Sequence, residues 1–378
     1  MLENKAVAMR PYRVMMIAGE PSGDILGAHL LAELQQFLPA LEVKGVGGEA
    51  MQAAGLQPLV PFTDLAVMGL AEVLPRLPKL IGHLRFLALY ALEWQPDILI
   101  TIDSPDFGLR LAKKLHRLGI KTVHVVAPSV WAWRAGRAKK IAAYLDLLLC
   151  LLPFEPPYFE PYHLPAVFIG HPSGRVIENF VPILPDAPLL ILPGSRVGEV
   201  KRLAPIFADS LRLLQQQAID LPPIIIPTFS HLQPIIAEAF AGLSYQLIID
   251  ADEKKRVFNG ARAAMAASGT VTLELAACGV PHLVAYKVQP VSAWLAKRLL
   301  KTPYVNLINI IMQQELVPEL LQEKAGAENI AQQMQELLHH QPMIAAQQQG
   351  FIYAMQKLAT PKGQPAGRSI AALLKKQA

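Results

Sequence analysis

Two carboxylates and a serine gather at the end of the first apolar run. In VMMIAGEPSGDILGAHLL, residues 14–31, a buried-looking strand passes through a Gly/Pro/Ser turn into a helix. Gly-rich turns of this kind commonly seat phosphate, because helix amide groups converge on the anion. Here Gly19, Gly23 and Gly27 fall four apart, a spacing that fits neither G-x-G-x-x-G nor a P-loop. Glu20 and Asp24 would also repel phosphate, so with Ser22 they predict a neutral polyhydroxyl ligand, a sugar.

Other strand ends carry further chemistry. After DILITI comes DSPDF, with Asp103 at the strand end and Asp106 in the turn that opens a helix. Asp106 reads as structural, a cap or a turn residue. Asp103 fits two roles on the residues alone: a turn former, or a base that takes a proton from an attacking hydroxyl. After KTVHVVA, the turn PSVWAWRAGRAKKI places Trp131 and Trp133 where aromatics stack on a ligand or a neighbouring domain, core packing accounting for one of them. PLLILPGSR delivers Gly194, Ser195 and Arg196 to a strand end, where amide groups and a guanidinium could grip one diphosphate. AAMAASGTVTLELAACGVP sets Ser268, Gly269 and Thr270 at a helix start, with Glu274 one turn later on the same face. That suits phosphate and ribose hydroxyls; a capped, core-facing helix is the other reading.

Three motifs carry less. Asp250 to Asp252, DAD, imitates a metal-binding DxD but opens into EKKR, a solvated turn. His339 and His340 are adjacent and cannot form an i, i+4 metal pair. No metal is therefore expected. Ser22 lacks the G-x-S-x-G frame of a nucleophile elbow.

These residues need elements to hold them at strand ends. Strand-like apolar runs alternate with amphipathic helical stretches along the chain, the pattern of βαβ units and parallel sheets. A Pro-rich irregular stretch at 160–188 reads as a linker, and 378 residues exceed one ordinary core. The expected architecture is α/β: two doubly wound Rossmann-like domains, 1–170 on the acceptor side and 171–345 on the nucleotide side. A helical segment, 346–378, would pack on the first domain or on a partner subunit. The cleft between two such domains is the default site, with ligands beyond the carboxyl ends of the strands.

Composition bounds the rest. Charged residues make up 17% against 52% hydrophobic, below the usual charged share of about 25%. Apolar surface is thus expected to remain for a partner or lipid. No apolar run approaches the roughly 20 residues of a spanning helix. The first 13 residues lack a signal-like apolar segment, and Cys150 and Cys278 form no CxxC, which predicts a cytoplasmic protein. The net charge of +5 favours anionic partners without naming one.

Taken in order, AGEPSGDILGAHL, LAVMGLAEVLPRLPKL, IDSPDFGLRLAKKL, PSVWAWRAGRAKKI, FIGHP, LPGSRVGEV, ASGTVTLELA, WLAKRLLKTPYVNLIN and ELVPELLQE strongly resemble the lipid-A-disaccharide synthase family. The resemblance spans most of the chain. It implies a GT-B glycosyltransferase, inverting and without metal or other cofactor. The implied reaction joins UDP-2,3-diacylglucosamine to 2,3-diacylglucosamine 1-phosphate (lipid X), giving the β-1,6 lipid A disaccharide 1-phosphate and UDP. Asp103 would be the general base and Arg196 a cation at the departing diphosphate. Ser268 to Thr270 would hold phosphates, Glu274 the ribose, and Asn309 would lie near the nucleotide. Gly19, Glu20, Ser22, Gly23 and Asp24, with Trp131, would line the acceptor side.

The acyl chains need an apolar surface, for which Val67, Met68, Leu70, Val73 and Leu74 offer a membrane patch; domain core is the other reading. The resemblance further implies a homodimer on the cytoplasmic face of the inner membrane, with its lipids as partners and no nucleic acid. This chain departs from the family pattern at Ile308 and at Met312 to Gln314. A UDP-sugar epimerase or a peptidoglycan GlcNAc transferase would share the architecture, and a catalytically silent UDP-sugar sensor is the alternative of a different class.

Overall fold

Among the described residues every strand pairing is parallel. The computed structural model describes residues 10–65, 70–130, 135–184, 186–287, 302–361 and 366–375. The chain divides into two compact units, Met1–Pro172 with Thr360–Ala378, and Ser173–Ala359.

The first unit runs β1 (Tyr12–Ala18), α1 (Pro21–Phe37), β2 (Leu41–Val46), α2 (Glu49–Ala53), β3 (Gln57–Pro58), α3 (Leu70–Trp94), β4 (Ile98–Ile102), α4 (Pro105–His116), β5 (Lys121–Val125), α5 (Ala135–Ala142), β6 (Leu147–Cys150) and β7 (Ala166–Phe168). Its sheet order is β3-β2-β1-β4-β5-β6-β7. Helices cover both faces, which is why the strands read as unbroken apolar runs. Val14, Met16 and Ala18 of β1 enter one core with Leu30, Leu31 and Leu34 of α1, while Met15 and Ile17 enter the other with Leu87 and Leu111.

The second unit runs β8 (Leu189–Leu192), α6 (Val197–Gln216), β9 (Ile224–Pro227), α7 (Gln233–Ala239), β10 (Gln246–Ile248), α8 (Ala251–Phe258), β11 (Ala263–Ala267), α9 (Val271–Ala277), β12 (His282–Tyr286), α10 (Leu307–Met312), β13 (Glu319–Leu321), α11 (Ala327–His339) and α12 (Gln341–Leu358). Its sheet order is β10-β9-β8-β11-β12-β13. Both sheets are thus doubly wound, the architecture expected from the alternation of apolar runs.

The C-terminal segment is divided between the units. Helix α12 belongs to the second, where Gln347 holds both the backbone N–H and the carbonyl of His282. The last helix, α13 (Ala366–Lys375), belongs to the first and lies against α1. Ile370, Ala371 and Leu374 join the α1 core cluster, and the Gly367 N–H donates to Glu33. None of the described helices is long and apolar enough to cross a membrane.

Candidate active site

In each sheet the winding reverses once, between β1 and β4 in the first and between β8 and β11 in the second. At such a switch point two successive connections leave in opposite directions, opening a crevice beyond the carboxyl ends of the strands. Gly19 to Asp24 follow β1 and Asp103 follows β4. Gly194 to Arg196 follow β8, and Ser268 to Thr270 follow β11. Each pair of sequence-predicted motifs therefore flanks its own unit's switch point.

At the first crevice the backbone is forced into unusual conformations. Asp103 and Ser104 both sit at positive φ, 52° and 43°, and the β-branched Val126, just past β5, sits at 77°. Such a cluster of non-glycine residues stores strain, typical of functional sites. Strand pairing continues up to it: the Asp103 N–H donates to the Val125 carbonyl at 3.0 Å. Both Asp103 carboxylate oxygens are engaged, Oδ1 accepting from the Ser104 N–H at 2.9 Å and Oδ2 from the Ser22 hydroxyl at 3.4 Å. Gly19 is glycine because Ser104 leaves no room for a side chain there. Gly23 packs against the Ile102 carbonyl and Asp103. Glu20 takes the position just before α1, half-buried. The result is an oriented, half-buried carboxylate held by one hydroxyl and one backbone N–H, at a place a sugar hydroxyl could reach.

At the second crevice Gly194 adopts φ 123°, and Ser195 and Arg196 are exposed at the start of α6. Glu199, inside the first turn, accepts from the Ser195 N–H at 3.3 Å, and burial raises its pKa above the ordinary carboxylate value. The Ser268 hydroxyl donates to the Val305 carbonyl at 3.4 Å, whereas Gly269 and Thr270 are exposed. Glu274 is half-exposed and pairs with Lys254 of α8 at 2.9 Å. Sequence reasoning missed Lys254. It lies in the EKKR stretch set aside as a solvated turn, where only the Asp250 cap four residues earlier hinted at an ordered helix.

Two expected ligand contacts need correction. Asp24 is buried, and its carboxylate accepts backbone N–H groups from Gly48, Ala50 and Met51 at 2.7 to 3.1 Å. It pins the start of α2 to α1 and has nothing left for a sugar. Asn309 is wholly buried; its amide donates to the Val317 carbonyl and Glu319, and its oxygen accepts from the Leu316 and Val317 N–H groups. With its hydrogen bonds spent inside the fold, it shapes the approach to β13 rather than touching nucleotide. The DAD stretch is a helix cap, Asp250 accepting from the N–H groups of Asp252 and Glu253.

Trp131, Val67 and Met68 lie outside the described residues. Leu70, Val73 and Leu74 fall on the first turns of α3, and their side chains are likewise outside the description. Farther along, α3 exposes Leu77, Ile81, Phe86, Leu89 and Leu92 while burying Leu87 and Ala91.

Comparison with known proteins adds three findings. The family model described as lipid-A-disaccharide synthetase matches residues 14–369. The lipid-A-disaccharide synthases of Rhodospirillum centenum and Gluconobacter oxydans are each 42% identical, over 97% and 96% of this chain and 95% and 90% of their own lengths. Among solved structures, a co-structure of S. aureus MnaA with UDP aligns over 97% of both chains with a TM-score of 0.62 at 12% identity, a likeness of fold.

Proposed function

Because the chain belongs to the lipid-A-disaccharide synthetase family and is thereby a glycosyltransferase of lipid A disaccharide synthesis, we propose that it transfers the sugar of UDP-2,3-diacylglucosamine, with inversion and without a metal, to 2,3-diacylglucosamine 1-phosphate. The acceptor is assigned to the first unit and the nucleotide to the second. The observation that carries this reading is the placement of Asp103 at one switch point and of Arg196 and Glu274 at the other.

The chemistry follows from those groups. The acceptor hydroxyl attacks the anomeric carbon and passes its proton to Asp103, whose carboxylate is held in orientation by Ser22 and the Ser104 N–H. The bond from the anomeric carbon to the diphosphate breaks, and its electron pair leaves on UDP. On the second unit Arg196 would stabilise that developing charge, and Glu274 would take the ribose hydroxyls. The exposed apolar row on α3 supports a seat for acyl chains at the cytoplasmic face of the inner membrane. A homodimer is part of the same reading.

Purified protein is assayed with both lipid substrates and a metal chelator, wild type against Asp103→Ala. Disaccharide and UDP from the wild type, with a loss of at least about 100-fold in the variant, is the expected outcome. Equal rates remove Asp103 as the base, and dependence on added metal removes the metal-free mechanism.

A further inference from the structure

The half-exposed Glu274 carboxylate has a fixed partner. Its Oε2 meets the Lys254 ammonium at 2.9 Å, and the same ammonium lies 5.1 Å from the centroid of the Phe258 ring. Lys254 and Phe258 are four apart on α8, so the ring and the ammonium share a helix face. Phe258 is buried in the cluster that also holds Leu275, the residue after Glu274. Asp250 fixes the start of α8 by accepting two backbone N–H groups. Lys254 is thus tied at its helix, at its ring and at its carboxylate partner.

An ion pair this exposed, with side chains 36% and 45% accessible, contributes little to folding. Its consequence is geometric: Oε2 is fixed, and among the described residues no hydrogen bond occupies Oε1, which can receive hydroxyl groups. We propose that Lys254 is a positioning residue for ribose recognition, holding Glu274 so that the site discriminates a ribonucleotide from its 2′-deoxy counterpart. The proposal rests on the assignment of Glu274 to the ribose in the function proposed above. By pinning Oε2 before the ligand arrives, Lys254 removes the rotamer freedom that a lone glutamate would lose on binding. Lys255, the neighbouring cation, pairs with Asp252 instead and serves as an internal control.

The test is calorimetric titration of the full chain with UDP and with 2′-deoxy-UDP, comparing wild type, Lys254→Met, Lys254→Arg, Lys255→Met and Glu274→Gln. The readout is the ratio of the two affinities, because loss of a nearby positive charge weakens both nucleotides together. Wild type is expected to favour UDP by about tenfold or more, the worth of a hydrogen bond to a charged group. Lys254→Met should cut that ratio at least threefold, Lys254→Arg should restore it, and Lys255→Met should leave it unchanged. A Lys254→Met ratio equal to wild type, with Glu274→Gln abolishing discrimination, overturns the role of Lys254 while keeping the ribose assignment. Absence of discrimination in the wild type overturns the ribose assignment itself, and this proposal with it.

Discussion

Ser104 and Gly19 are in such close approach that a β-carbon on residue 19 would lie 2.6 Å from the Ser104 β-carbon. The tips of β1 and β4 can adjoin at the switch point only because one of them has no side chain. Gly19→Ala should therefore push the Asp103 turn away from Ser22 and lower kcat more than it raises KM. Overpacking of this kind costs about 1–3 kcal/mol. Parallel measurement of kcat, KM and the denaturation midpoint checks this; an alanine variant with wild-type kcat would show that the approach is not needed for turnover.

Asp24→Ala leaves three backbone N–H groups without their acceptor at the start of α2. Hydrogen bonds to a charged group are worth about 1.5–3 kcal/mol each, though not additively. A loss of roughly 3 kcal/mol is expected in chemical denaturation, with UDP affinity unchanged under folding conditions. A raised acceptor KM at undiminished stability would return Asp24 to the sugar site.

Asn309→Ala should behave in the same way within the second unit. Four hydrogen bonds around the α10 to β13 connection disappear, and Glu319 loses a donor where burial already raises its pKa. Destabilisation of about 2–3 kcal/mol with little change in UDP affinity is expected from calorimetry and denaturant melts.

Two wholly buried histidines make stability depend on acidity. Burial lowers the pKa of His124 to about 3, with Arg137 adding to the depression, and that of His282 to about 4. An unfolded chain protonates both near 6.5, so as the pH drops below about 6.5 the unfolded state binds more protons and stability is lost, down to about pH 4 for His282 and about pH 3 for His124. Above that window both are neutral in either state and add no pH dependence. His282→Gln should remove one step, on the order of 3 kcal/mol between those limits. Denaturation midpoints at pH 7, 6 and 5 test it: an equal acid loss in wild type and variant would place the sensitivity elsewhere.

The strands were legible because helices bury both their faces, leaving apolar runs such as VMMIA with no polar residue to confuse the period. Asp103 was legible as a strand-end carboxylate, since position along the chain determines which residues reach a switch point. Asp24 and Asn309 were misread for a common reason. Their partners lie on other segments, Gly48 to Met51 in one case and Leu316 to Glu319 in the other. A sequence does not reveal which polar side chain a fold consumes in satisfying its own amide groups. Lys254 was hidden in the converse way, because a run of charges looks solvated until one member is found facing a ring and a carboxylate.

Helix α13 belongs to the first unit, yet the whole of the second unit precedes it in the chain. A ribosome working from the amino terminus completes the whole of Ser173–Ala359 before the residues that cover α1 exist. During that interval Leu30, Leu31 and Leu34 lack the apolar partners that Ile370, Ala371 and Leu374 later supply. Nascent chains stalled or truncated before residue 366 would present that bare stripe to chaperones and proteases, which makes α13 a late seal on the core of the first unit.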